Sequence, residues 1–241
     1  MGSTGEENPD GDRVLEQWSR AAAVYATVQE SAPDAVLNRA VVRRRFRDMT
    51  GRTALDAGCG CGGYTNELKA AGADVTGCDG SAEMLKIARS RYPACRFERV
   101  DLLGSLPYRK EQFDLVFCNQ VLMDLPEING LFAEFSRITG EGGILFLGIV
   151  HSATYPGEWV EDGAGRKTAK TIRKYAAVYR LEHPFCGETT HFHRPISHYL
   201  NLAADHQFHL VHMEEPCRDS DISGLPPFLF AEFRKQTVGT F

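Results

Sequence analysis

The segment Leu55-Asp56-Ala57-Gly58-Cys59-Gly60-Cys61-Gly62-Gly63-Tyr64-Thr65 constrains the fold more than any other part of this chain. A short apolar run stops at a cluster of glycines, and a helical pattern begins directly after it. Residues without a Cβ let a ligand approach main chain. The first turn of a helix presents N–H groups that have no partner of their own. A strand that turns through glycines into a helix opens a βαβ unit, and the following segments keep that rhythm. Asp74–Asp79 and Arg96–Leu102 read as second and third strands, Gln112–Asn119 as a fourth with a polar end. Gly143–Val150 is a near-continuous apolar run, as a central parallel strand requires. Between them lie helical patterns from Tyr64 to Ala71, stopped by Gly72, and from Ala82 to Tyr92, capped by Ser81 and closed by Pro93. A fourth runs from Leu125 to Thr139 and ends at Gly140. Two helices precede the first strand: Val14–Gln29, apolar at 14, 15, 18, 22, 25 and 28, and Asp34–Met49, ended by Gly51. Such alternation implies an α/β fold, a parallel sheet with helices on both faces.

The chemistry of the turn is narrower than its shape. Gly58-x-Gly60-x-x-Gly63 matches the dinucleotide fingerprint, a weak signal by itself. Asp56, just before the first glycine, would crowd a pyrophosphate with like charge. S-adenosylmethionine (SAM) carries an ammonium, a carboxylate and a sulfonium but no phosphate, so a carboxylate here can hold the ammonium, directly or through water. Asp79 falls sixteen positions after Gly63, where an acid can take both hydroxyls of a ribose. Asp101 ends the third strand; a dinucleotide site has no use for it, whereas an adenine amino group has.

With these residues in order, the chain resembles the class I SAM-dependent methyltransferases, in the broad group of ubiquinone-biosynthesis and small-molecule enzymes. The likeness is strong over residues 50–150. It is weaker over 190–235, through His193-Arg-Pro-Ile-Ser-His-Tyr199 and Glu214-Glu-Pro216. It implies a Rossmann-like, doubly wound, seven-stranded sheet, mostly parallel with an antiparallel C-terminal strand, plus N-terminal helices and an inserted lid. It implies SAM as cofactor, S-adenosylhomocysteine as product, and Tyr25, Asp56, Gly58, Gly60, Asp79, Gly80, Met84, Asp101, Leu102 and Asn119 as the cofactor-binding set. Tyr25 corresponds to an N-terminal aromatic over the methionyl part. The expected reaction is in-line transfer of a methyl group to N, O or C of a small, planar acceptor. Alternatives are a tRNA or protein methyltransferase and a non-catalytic SAM-binding partner subunit. Because the methyl group arrives activated, the protein chiefly supplies proximity and alignment.

Composition sets outer bounds. A chain of 241 residues is long enough for one domain with a sizeable core, expected over 14–241, with 14–49 a helical cap and 1–13 a disordered tail. That Gly- and acid-rich tail has no apolar stretch of the kind a secretory signal needs. No apolar run reaches the roughly 18 residues of a membrane span. Seven cysteines, an odd number, read as reduced thiols of a cytoplasmic protein. Cys59-x-Cys61 lacks a second pair at zinc spacing, so no metal is expected. The net charge of −5 argues against general nucleic-acid binding, and a homodimer stays open.

After Val150 the alternation breaks. Residues 151–193 hold Tyr155, Trp159, Tyr175, Tyr179 and Phe185, several glycines, and the cations Arg166, Lys167, Lys170, Arg173, Lys174 and Arg180. They read as a lid inserted at the carboxyl end of the fifth strand, where open α/β sheets bind ligands. A loop is expected first, then a basic helix near 167–178. His191-Phe-His193 alternates like a strand, so both imidazoles can face one side. His191, His193 and, directly after the fifth strand, His151 are the candidate general bases. A helix over Ile196–Asp205 and strands Phe208–Glu214 and Pro227–Arg234 complete the pattern.

Overall fold

The computed structural model of the chain describes residues 9–183, 186–218 and 223–237. Helices α1 (Pro9–Ser31) and α2 (Pro33–Arg45) lead into strand β1 (Thr53–Ala57). The expectation of disorder over 1–13 fails at residues 9–13. Residues 9–13 already form the first turns of α1, with Asp10 and Asp12 at its positive end, and residues 1–8 lie outside the described residues. Helix α2 stops before Met49 because Phe46 leaves helical geometry. Its ring packs edge-on to Phe117 and Phe146, at 5.9 and 5.1 Å between centroids.

The βα alternation follows: α3 (Gly63–Ala70), β2 (Asp74–Asp79), α4 (Ala82–Arg91), β3 (Arg96–Arg99) and β4 (Phe113–Asn119). Ser81 caps α4 by accepting the Met84 N–H at 3.2 Å. Strand β3 ends before Asp101, whose carboxylate accepts the Leu103 N–H at 2.9 Å and turns the chain. The expected helix from Leu125 is broken in two. A 3-10 turn spans Leu122–Asp124, and α5 (Asn129–Ile138) starts only after Pro126 and Glu127. Strand β5 (Thr139–Val150) begins at once, earlier than its apolar run suggests, because Thr139 already pairs with Phe113.

The largest correction falls in the insertion. No helix occupies 167–178. Instead β6 (Glu158–Glu161) and β7 (Lys167–Thr171) form an antiparallel hairpin, and β8 (Tyr179–His183) pairs with β9 (Thr189–His193). The first hairpin is set by its turn: Asp162 accepts the N–H groups of Ala164 and Arg166 through one carboxylate oxygen, at 2.9 and 3.0 Å. Phe185 lies outside the described residues. Helix α6 (Ile196–Asp205) and strands β10 (Phe208–Glu214) and β11 (Phe228–Lys235) close the chain.

The seven-stranded sheet has the order β10-β11-β5-β4-β1-β2-β3, and only β11 runs antiparallel to its neighbours. Its two faces carry separate apolar clusters. One packs Phe132, Phe135 and Leu122 against Val116 and Leu145; the other packs Tyr64, Leu68 and Val42 against Phe117 and Phe146. Chain order reverses between β1 and β4, so their carboxyl ends splay apart there. That is where an open α/β sheet makes a crevice.

Candidate active site

At that switch point lies a cleft of about 780 Å³. Its floor is the glycine turn. Gly58 has φ +77°, and a Cβ there would sit 2.4 Å from a Val121 methyl, so the position excludes any larger residue. A Cβ on Gly60 would point toward Tyr25 and Met84, at 3.6 and 4.0 Å, and occupy the space the cleft needs. Asp79, at the end of β2, joins turn to helix: one carboxylate oxygen accepts the Gly60 N–H at 2.9 Å, the other the Ser81 N–H at 2.8 Å. Burial raises its pKa, and those two backbone bonds pull the other way. Each oxygen keeps a further lone pair, which suits a vicinal diol.

Of the residues the sequence points to, Tyr25, Gly58, Gly60, Asp79, Gly80, Met84, Asp101, Leu102 and Asn119 all line this cleft. Asp56 does not. It is 2 % exposed, and Thr65 donates its hydroxyl to it at 2.6 Å. Burial pushes its carboxyl up to about 7 despite that bond. Asn119 reaches the wall with its amide committed: its Nδ2 donates to Asn38 at 2.8 Å, and Tyr64 donates to the same Asn38 oxygen at 2.7 Å.

A second cavity, about 490 Å³, shares Trp18, Tyr25, Gln29, Tyr64 and Gln120 with the first. Helix α1 provides three of these, and the rings of Trp18 and Tyr25 meet edge-to-face at 5.4 Å. The end of β5 and the insertion add Val150, Thr154, Tyr155, Trp159, Lys167, Lys170 and His191, and further wall comes from the start of α2, Met123, Arg218 and Leu225 to Phe228. The histidines separate here. His191 lines the cavity; its Nε2 lies 3.2 Å from the Asp124 carboxylate and its ring stacks on Tyr155 at 5.3 Å. His193 lines neither space: it pairs with the Tyr175 carbonyl at 2.9 Å and packs on Tyr179. His151 lines neither, and its Nε2 meets Glu215 at 2.7 Å.

Asp124 is the residue that sequence reasoning passed over. It sits in the 3-10 turn after β4, lines the first cleft and touches the histidine of the second. Burial holds its carboxyl well above the usual carboxylate range, with the Trp18 side chain pulling it back. Its position a few residues beyond the fourth strand was the available signal. Trp18 was legible only as an apolar position of a helix.

Comparison with known proteins places the chain. Residues 55–147 match the family described as "Methyltransferase domain". The malonyl-[acyl-carrier protein] O-methyltransferase of Enterobacter lignolyticus (strain SCF1) is 32% identical over 139 residues, covering 56% of this chain and 53% of the relative. The demethylmenaquinone methyltransferase of Tropheryma whipplei (strain Twist) is 31% identical over 139 residues, covering 56% and 55%. The chain thus spans about half the length of the curated relatives it matches. A SAM-dependent methyltransferase from Mesorhizobium loti superposes with a TM-score of 0.70 at 26% identity, over 81% of this chain and 96% of that one.

Proposed function

Since the chain carries a class I SAM-dependent methyltransferase domain, we propose that it moves a methyl group from SAM to a small, partly planar acceptor held in the second cavity. One observation carries this reading. The cleft at the switch point and the aromatic-lined cavity lie side by side and share Trp18, Tyr25, Tyr64 and Gln120 in their walls. A donor in the first and an acceptor in the second would be neighbours across those side chains.

The donor site fits SAM on the geometry of the turn. The main chain at Gly58 and Gly60 would face the methionyl part, Asp79 the ribose hydroxyls, and Met84, Asp101 and Leu102 the adenine. When bound, SAM supplies an activated methyl group on a sulfonium. The remaining work is the chain's own. Residues of 151–193 and α1 form the lid that keeps water from the acceptor and fixes its approach. His191 is the group placed to accept a proton from an acceptor N–H or O–H, with the Asp124 carboxyl 3.2 Å from its Nε2. His193 and His151 serve the lid and the β5 terminus instead.

Calorimetry tests the donor half: SAM should bind in the micromolar range usual for metabolic enzymes. Methyl-labelled SAM with pooled small metabolites tests the acceptor half, with label expected in a low-molecular-mass product. No heat and no thermal shift at about millimolar SAM, well above that range, would remove the reading.

A further inference from the structure

Resting on the methyl-transfer reading, we propose that Arg194 is a positioning residue for the His191–Asp124 pair: its buried guanidinium locks the turn that carries Asp124 to the strand that carries His191. The two side chains come from distant parts of the chain, and their 3.2 Å approach holds only while turn and strand keep one register. Arg194 stands where β9 runs out into α6. Pro195 follows it and favours extended main chain at Arg194. The residue is 3 % exposed. Its Nη2 donates to the carbonyls of Leu125 and Pro126, each at 2.8 Å, and its Nη1 to that of Leu122 at 3.1 Å. Nη1 also lies 3.5 Å from the Phe192 carbonyl in β9 itself. The turn is thus gripped on both sides of Asp124, and the strand at the residue next to His191.

A residue that only fills space would not need this chemistry. A cation taken out of water is tolerated where polar atoms meet its N–H groups, and an apolar side chain of similar volume makes no such demand. What the guanidinium adds is direction. Its planar fork fixes several carbonyls at once, which a flexible ammonium does not. The end of a 3-10 turn offers carbonyls with no partner inside the turn. The clamped segment also walls the cofactor cleft, through Val121, Asp124, Leu125 and Pro126. Arg194 itself lines neither the cleft nor the second cavity, so it acts through the pair and not on donor or acceptor. A displacement of about 1 Å in a reacting group can cost roughly 100-fold in rate.

The test reads the pair directly and needs no acceptor. NMR of the full chain with isotope-labelled histidine rings follows His191 and His193, assigned through His191→Gln and His193→Gln. Asp124→Asn should shift the His191 signals. In the Arg194→Met background the same change should leave them almost unmoved, because the two side chains no longer meet; the comparison is a double-mutant cycle with a spectroscopic readout. The His193 signals, set by Tyr175 and Tyr179, should keep their place in Arg194→Met. Turnover of labelled SAM with pooled small metabolites should fall roughly tenfold to 100-fold in that variant. Arg194→Lys keeps the charge without the fork and should lose part of the coupling; it decides the matter if Arg194→Met does not fold. An Asp124 effect of undiminished size in folded Arg194→Met, or in Arg194→Lys where that variant decides, overturns the proposal. So does an Asp124→Asn change that leaves His191 unmoved in the parent chain, or a His193 shift in Arg194→Met as large as that of His191, which would reduce Arg194 to a support for β9. SAM binding to the parent chain is measured in parallel by calorimetry. Its absence, with the coupling behaving as expected, would remove the methyl-transfer reading and leave the clamp standing.

Discussion

Replacing Asp56 by Asn separates two roles that the sequence assigns to one carboxylate. The residue is sealed beneath the glycine turn, with Thr65 donating to it at 2.6 Å. Burial lifts its pKa from an ordinary 3.8 to about 7. A tenfold change in proton affinity is worth about 1.4 kcal/mol, so ionising this group in the folded chain costs about 4 kcal/mol. The sign follows from proton counting. Between pH 4 and 7 the folded state binds more protons at Asp56 than the unfolded state, so its contribution is favourable in acid and is lost as pH rises. Asn keeps an acceptor for Thr65 and never ionises, but its amide N–H group enters a site that offers it no designed partner, at a cost of roughly 1–2 kcal/mol. At pH 8 the variant should therefore be more stable than wild type by about 2–3 kcal/mol, or some 5–10 °C in Tm for a domain of this size. At pH 4, where the acid is protonated in the folded chain, it should be weaker by about 1 kcal/mol. Urea denaturation of both proteins at a series of pH values gives the difference curve, in which every other titrating group cancels. A difference that stays flat from pH 4 to 8, or that favours wild type in alkali, refutes the buried-acid argument. SAM affinity decides the second role. If it is unchanged in the variant, Asp56 shapes the turn and does not touch the methionyl ammonium.

The other predictions concern the cleft. Asp79→Ala should weaken SAM by about 1.5–3 kcal/mol, through loss of charge-assisted bonds. It should also lower Tm, since the N–H groups of Gly60 and Ser81 lose their acceptor; unchanged calorimetric affinity would contradict the ribose assignment. His191→Ala should cut turnover of labelled SAM by about 100-fold or more with SAM affinity intact, while His193→Ala and His151→Ala stay close to wild type. If His193→Ala proves the damaging change, the base has been misassigned. Gly58→Ala forces a side chain into left-handed geometry and against Val121. It should cost about 2–4 kcal/mol of stability in chemical denaturation and abolish SAM binding.

Much of the architecture was legible along the chain, because a strand, a glycine turn and a capped helix each make demands on neighbouring residues. The segments Asp74–Asp79, Ile196–Asp205 and Phe208–Glu214 carry those demands without conflict, and each forms the element its pattern implies. The same local logic located the glycine floor and the acids at 79 and 101, since a βα turn fixes where the strand ends point. Residues 167–178 were misread as helix because a run of exposed cations has the same sparse pattern on a hairpin as on a helix. The Asp162 turn, and pairing with Glu158–Glu161, decided between them.

What the sequence could not contain is which distant side chains meet. His191 and His193 are equivalent by alternation, yet only His191 reaches Asp124 and the cavity, because Tyr175 and Tyr179 cover its neighbour. Asp56 reads as a ligand for a cation from its place before Gly58, until packing buries it under Thr65. Trp18 becomes a shared wall of two cavities only once α1 lies across the sheet. The backbone conformation of a turn is a property of consecutive residues, so the chain specifies it locally. A catalytic pair, a buried charge and a cavity wall depend on which surfaces the packed elements exclude from water, and only the assembled structure determines that.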